Sequence, residues 1–207
     1  IFFICQISLL GADEFYFEGE EIQILDKGNR LVSKNNVKIT TDDDLVLEGN
    51  EFEYDKIKLE LILRDNVIII DKKKNINIET NQVKYFKKDE ILFTDKFTEI
   101  NINDKYFIKS KNLIFDRNKG ILSSNESTSV LDSFNNELLT NEFKFFTENQ
   151  LIKAKKVLIK DNQGNNTFLE NFIGNLNDDQ FFGKDVKIIF NKNKFGNINN
   201  DPRLYGN

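Results

Sequence analysis

Residues 45–70 read LVLEGNEFEYDKIKLELILRDNVIII, and the alternation in this stretch decides the fold class. Leu45 and Leu47 alternate with outward positions, then Phe52 and Tyr54 do the same. After the tight turn Asp55-Lys56, Ile57, Leu59, Leu61 and Leu63 alternate, and the pattern resumes at Val67 and Ile69. Period-two apolarity over such runs marks β-strands and not helices. Each strand carries a polar break, Glu48-Gly49-Asn50 in the first and Arg64-Asp65-Asn66 in the second. Across the first break the apolar parity switches from odd to even. A one-residue parity change turns side chains to the other face, so the backbone must bend or bulge there. Each strand is therefore expected to cross two packed sheets, with a corner between them.

The unit recurs about every thirty residues. Leu31, Leu61, Ile91, Ile121, Leu151 and Phe181 form one series; Val37, Val67, Phe97 and Val157 form a second, with Ser127 in its gap. A third runs Ile24, Tyr54, Tyr85, Phe115, Phe145, with a one-residue slip before Tyr85. Such periods belong to arrays in which one unit cannot bury its apolar face alone. Two long bent strands per repeat, joined by short turns, require antiparallel pairing. The expectation is a single all-β domain over residues 13–191, a jellyroll of stacked antiparallel hairpins. A parallel β-helix, as in an adhesin or a carbohydrate-active protein, is the competing architecture. Pairing across Asp55-Lys56 separates the two.

Composition narrows the function. Acidic residues number 34 and basic ones 29, interspersed, giving a formal charge of −5. Nucleic-acid binding needs a basic face, which this pattern does not supply. There is no histidine, one cysteine and one proline. The usual general base and most zinc sites are thereby removed. Residues 1–12, IFFICQISLLGA, resemble the apolar region and end of a signal peptide, and Cys5 lacks a lipid-attachment motif ahead of it. After Asn191 the alternation fails, so 192–207 reads as a linker that includes Pro202.

Carboxylates are the only plentiful catalytic groups. Asp42-Asp43-Asp44 and Asn177-Asp178-Asp179 could be imagined as calcium loops, but both fall at hairpin turns, where Asp and Asn are favoured for local backbone reasons. Lys72-Lys73-Lys74 reads as a solvated turn. With no phosphate loop or nucleophile elbow, no enzyme, metal or cofactor is expected. What remains is the apolar interior. Leu47, Phe52, Tyr54, Leu61, Val67, Ile69, Val83, Tyr85, Ile91, Phe93, Leu113, Phe115, Phe143, Phe145, Val157 and Ile159 would line one long inner surface. That surface is either an ordinary sandwich core or, if the hairpins stay open along one side, a trough for acyl chains.

The repeat with its polar corners, Glu48 to Tyr54 and Arg64 to Val67, resembles the organic-solvent-tolerance (OstA) family of lipopolysaccharide (LPS) transport proteins. FFGKDVKIIFN (181–191) followed by NDPRLYGN (200–207) is similar to the junction between periplasmic domain and outer-membrane barrel in the LptD-type members. The resemblance implies a twisted, V-shaped jellyroll with an open apolar groove at the periplasmic face of the outer membrane. Its partners would be LPS, an LptA-like bridge protein docking by strand addition, a β-barrel of the same chain and an LptE-like lipoprotein. The bridge is expected at the first strand, through Ile22 and Ile24. Asp201, Pro202 and Arg203 would mark the barrel junction. A soluble LptA-like bridge shares the repeat and stays open as an alternative. The family's disulfides have no counterpart here, since Cys5 would leave with the signal peptide.

Overall fold

The computed structural model describes residues 15–178, 180–191 and 203–206. Strands β1 (Phe15–Glu18) and β2 (Glu21–Leu25) lead through a 3-10 turn, Asp26–Gly28, into β3 (Arg30–Thr41). Four long strands follow: β4 (Leu45–Asp55), β5 (Glu60–Asp71), β6 (Ile76–Phe86) and β7 (Ile91–Ile102). Shorter ones come next: β8 (Tyr106–Lys111), β9 (Ile114–Asp116), β10 (Ile121–Ser124), β11 (Thr128–Asp132), β12 (Glu137–Thr140) and β13 (Glu142–Phe146). The chain continues with β14 (Leu151–Lys160), β15 (Asn166–Asn175), β16 (Gln180–Lys184), β17 (Val186–Ile189) and β18 (Arg203–Gly206). Tyr54 is the cross-strand partner of Leu61, and Asp55 of Glu60. The fold is all-β and antiparallel, and the parallel β-helix is excluded. The turn at Asp55 holds four residues, 56–59, and not two.

Each long strand contributes to two sheets. Register shifts fall between Lys34 and Val37, Glu48 and Glu51, Arg64 and Val67, and Thr80 and Gln82. The polar breaks of residues 45–70 are thus corners, the first with the parity switch of its apolar positions and the second without one. Left-handed backbone recurs at them: Asn35 (φ 65), Asn36 (φ 49), Asp65 (φ 61), Asn66 (φ 55), Lys96 (φ 69), Lys156 (φ 51) and Asp185 (φ 56). Asn and Asp tolerate this region because their short polar side chains bond locally. β8 and β9 are the two arms of one such strand, as are β10 and β11, and β12 and β13. The pairings close into an antiparallel ring, a β-barrel in hydrogen-bonding terms. It runs from β7 through β8, β11 and β12 to β14, and back through β13, β10 and β9. The remaining strands extend it on both sides.

Buried hydroxyls mend the ladder where it breaks. Thr94 and Thr98 hydroxyls lie 2.7 Å apart, Thr98 donates to Thr80, and Thr80 donates to the Phe97 carbonyl. Ser110 and Thr128 pair at 2.8 Å, and Ser124 donates to the Lys111 carbonyl. A buried backbone group without a partner would cost about 1–3 kcal/mol, so these side chains are part of the corner.

Opposite the corners, the turns of the first sheet, which holds β2, β9, β10, β13 and β16, stack on one another; β1, β8, β11, β12 and β17 belong to the second. Lys56 N–H donates to the Asn29 carbonyl, Lys87 to Leu59, Arg117 to Glu90, Thr147 to Gly120 and Leu176 to Gln150, at 2.8–2.9 Å. The repeat is therefore also written in the backbone. Its phase slips once for an identifiable reason. Turn 42–44 has three residues between β3 and β4, whereas 72–75 has four between β5 and β6. Downstream inward positions move by one: Leu92, not Ile91, faces Tyr85, and Phe93 faces outward opposite Lys84. Thr98 is buried while Phe97 is 49 % exposed. The series through Ile91 and Phe97 is corrected accordingly.

The region read as a linker also changes. Arg203 begins β18, which pairs with β17. Asp201, Pro202 and the stretch 1–12 lie outside the described residues.

Replacing Asn66 by Val puts a branched side chain into left-handed backbone, and a loss of about 1–2 kcal/mol is expected. Asn66→Gly should keep wild-type stability. Urea midpoints of the two variants test this, and equal midpoints would mean that the corner does not depend on that conformation.

Candidate ligand-binding cavity

The two sheets face each other over one core. Rings from β1 in the second sheet meet rings of the first: Phe15 lies 5.2 Å from Tyr54 and 5.9 Å from Tyr85, and Phe17 stacks on Phe52 at 5.1 Å. Leu47, Phe52, Tyr54, Leu61, Val67, Ile69, Val83, Tyr85, Leu113, Phe115, Phe143, Phe145 and Val157 are all buried, most of them completely. Each such side chain contributes about 1.5–3 kcal/mol by leaving water. Over this length the residues expected to line a trough instead fill one another's space. Ile91 and Phe93 stand on the outer face, half-buried, and take no part in it.

Across the seam, where turns of the two sheets meet, buried charges hold the edges together. Arg117, from the turn after β9, reaches Asp71 (3.0 Å), the last residue of β5, and Asp43 (2.7 Å), in the turn after β3, both of the other sheet, and Glu90 (2.5 Å) on its own. Glu90 also accepts from the Tyr85 hydroxyl and from Lys87, both at 2.7 Å. Burial opposes the charge on Arg117, but its carboxylate partners outweigh burial and raise its pKa. Burial and the Glu90 carboxylate raise the Tyr85 phenol, so it stays a donor. For Asp43, burial pushes the carboxyl up. Hydrogen bonds from Thr41 and Arg117 and the guanidinium charge outweigh it, leaving the group below its ordinary value of 3.8. One step further along, Asn103 of the second sheet donates to Gln150 of the first at 2.8 Å.

Beyond that contact the seam opens. A cavity of ≈ 460 Å³ lies between the turn after β11, with Asp132, Ser133, Phe134 and Asn136, and Leu176 after β15. Its walls are Ile152, Phe172, Phe181, Phe182 and Gly183 on one side, and Tyr106, Val130, Leu138, Ile159, Thr167, Leu169 and Val186 on the other, with Asp161 at the rim. This volume is in the range of small-molecule sites, which are mostly apolar with a few polar groups. Cross-strand partners place its first wall. Phe143 faces Ala154, which faces Phe172, which faces Gly183. Phe145 faces Ile152, which faces Gly174, which faces Phe181. The glycines make room for these side chains: a Cβ on Gly183 would collide with Leu169, and one on Gly174 would lie 3.0 Å from Ile152 and Phe172. Phe172 and Phe181 stack at 5.7 Å beside the space.

Of the expected lining only Ile159 borders this cavity. Sequence reasoning missed Leu138, Phe172 and Gly183, although a glycine within a strand, such as Gly183, is a usable signal. At the other end of the array, Ile22 is half-buried against the core, whereas Ile24 is 55 % exposed. Both sit on β2, which begins the ladder.

Arg117→Ala leaves buried Asp71 without its cation, and a loss of about 3–5 kcal/mol is expected in chemical denaturation. Because folding lowers the Asp43 pKa, its contribution is complete above 3.8 and fades as pH falls through the folded-state value. Asp43→Asn should flatten the acid limb of the stability profile, and an unchanged limb would assign it to other carboxylates. Thr167→Trp should fill the cavity and weaken binding of an apolar fluorescent probe about tenfold or more, with unchanged circular dichroism. No protein-family model and no curated protein matches the chain.

Proposed function

We propose that this chain is an OstA-type LPS transport domain of the LptD kind, exported to the periplasmic face of the outer membrane. Its cavity shelters acyl chains on their way to a barrel. The observation that carries this reading is the apolar space between two bent antiparallel sheets, at the end of the ladder where Phe181 and Phe182 are exposed. An acyl chain has no polar group to be read, and an apolar wall with a polar rim is what it needs. The finer architecture, a V-shaped jellyroll, fits bent strands whose corners lie on one side and whose seam lies on the other. The seam is tied by Arg117 in its first part and open near Leu138 and Phe172. Acyl binding is therefore confined to the C-terminal part of the groove.

In this reading β2 offers its edge to an LptA-like bridge by strand addition, and the C-terminal strands lead towards the barrel and its LptE-like lipoprotein. The acidic residues Glu18, Glu20 and Glu21 beside β2 keep that edge soluble while leaving it able to pair.

Photocrosslinkers at Leu138, Phe172 and Phe181 are expected to capture LPS in cells, while those at Leu61, in the filled core, and Glu79, on the outer face, are not. Equal capture at Leu61 and Phe181 would overturn the confinement to the C-terminal end. Capture at none of the five would overturn the function.

A further inference from the structure

The rim of the cavity has a chemistry of its own. Asp132 lies at the start of the turn that borders the opening, with its carboxylate committed to that turn. One oxygen accepts from the Phe134 and Asn136 backbone N–H groups, both at 2.8 Å, and the other from the Asn136 side-chain amide, also at 2.8 Å. These donors fix the carboxylate in place. Asp161 starts a turn of the same design: it accepts from the Gln163 and Asn165 N–H groups and from the Asn165 side chain. The two turns are joined, since Asn162 N–H donates to the Asn136 side-chain oxygen. The rim is thus rigid, and its polar groups were built before any ligand arrives.

Resting on the acyl-binding reading above, we propose that this rim selects the linkage at the head of the chain. It admits an acyl or alkyl chain joined through an uncharged ester, amide or glycosidic group and turns away one that ends in a free carboxylate. The physical reason is repulsion at the mouth of an apolar cavity. A chain seated between Phe172 and Leu138 brings its polar end to Asp132, Ser133 and Asn136. In that half-buried position two like charges repel far more than in bulk water. An uncharged head avoids the repulsion, and its hydroxyl or amide N–H can donate to Ser133 or Asn136. An amphiphile that carries its anionic groups farther from the chain passes the same test.

The experiment is competition at mildly alkaline pH against a neutral apolar fluorophore bound to the intact chain. The competitors are dodecanoate and dodecyl maltoside, which carry the same chain length. Dodecyl maltoside is expected to displace the probe at a concentration about tenfold or more below dodecanoate. Asp132→Asn keeps an acceptor oxygen for the turn and should strengthen dodecanoate alone. Ser133→Asp, which leaves the turn bonds untouched, should weaken dodecanoate alone. Dodecanoate competing as well as the maltoside, or variants that move both competitors together, would overturn the selection and leave acyl binding standing. Displacement by neither competitor would overturn both.

Discussion

A strand that serves two sheets must turn a corner without orphaning its backbone, and the rest of this structure depends on how that is done. The left-handed residues at Asn35-Asn36, Asp65-Asn66, Lys96, Lys156 and Asp185 turn the chain, and they recur close to thirty residues apart. The turn alone would leave donors and acceptors unpaired in an apolar interior. Thr80, Thr94, Thr98, Ser110, Ser124 and Thr128 stand behind the corners and supply the missing partners. Their burial is paid for by hydrogen bonds, which is the condition under which hydroxyls are tolerated in a core. With the corner satisfied, one repeat can add to the next indefinitely. The length of the array is then set by how its two faces fill.

The seam opposite the corners follows a different rule. Arg117 with Asp43, Asp71 and Glu90 is a buried ionic cluster, and such clusters gain little net stability over apolar packing. What it does supply is position. The guanidinium fork has donors in a fixed plane, so three carboxylates from three separate segments are held in one geometry. Two of them, Asp43 and Asp71, belong to the sheet across the seam. The cluster therefore fixes the spacing of the sheets where the aromatic core is thickest, and its loss would be felt as misregistration as well as lost energy.

How much of this could be read in advance differs by element. The corner at Glu48-Gly49-Asn50 was legible because the buried positions change from odd to even across it; at Arg64-Asp65-Asn66 the parity is kept, and the polar break within an apolar run was the signal. The antiparallel hairpins were legible because two strands per repeat are joined by short turns. The slip that moves Ile91 outward and Leu92 inward was not. It arises from one additional residue in the polar turn 72–75, where no periodicity exists to reveal it. The Arg117 cluster was illegible because its members come from separate segments, Arg117 and Asp43 lying 74 residues apart. Asp42-Asp43-Asp44 was correctly placed in a turn, but its middle residue also has a distant partner. The cavity was illegible because its walls come from separate strands and turns, from Tyr106 to Val186, which no single run of alternation brings together.

An interior in which Phe52, Tyr85, Phe115 and Phe143 are essentially inaccessible cannot also be an empty conduit, because the same apolar surface cannot be buried twice. The apolar cavity between Leu138 and Phe172 lies beyond the part of the seam that Arg117 ties, at the C-terminal end of the array. One continuous ladder therefore has two unlike parts: an aromatic end tied by Arg117 and packed solid, and a C-terminal end whose sheets enclose a space. Movement of a chain through the whole interior would require the first part to release Arg117 and separate its rings. Movement into and out of the second part requires neither.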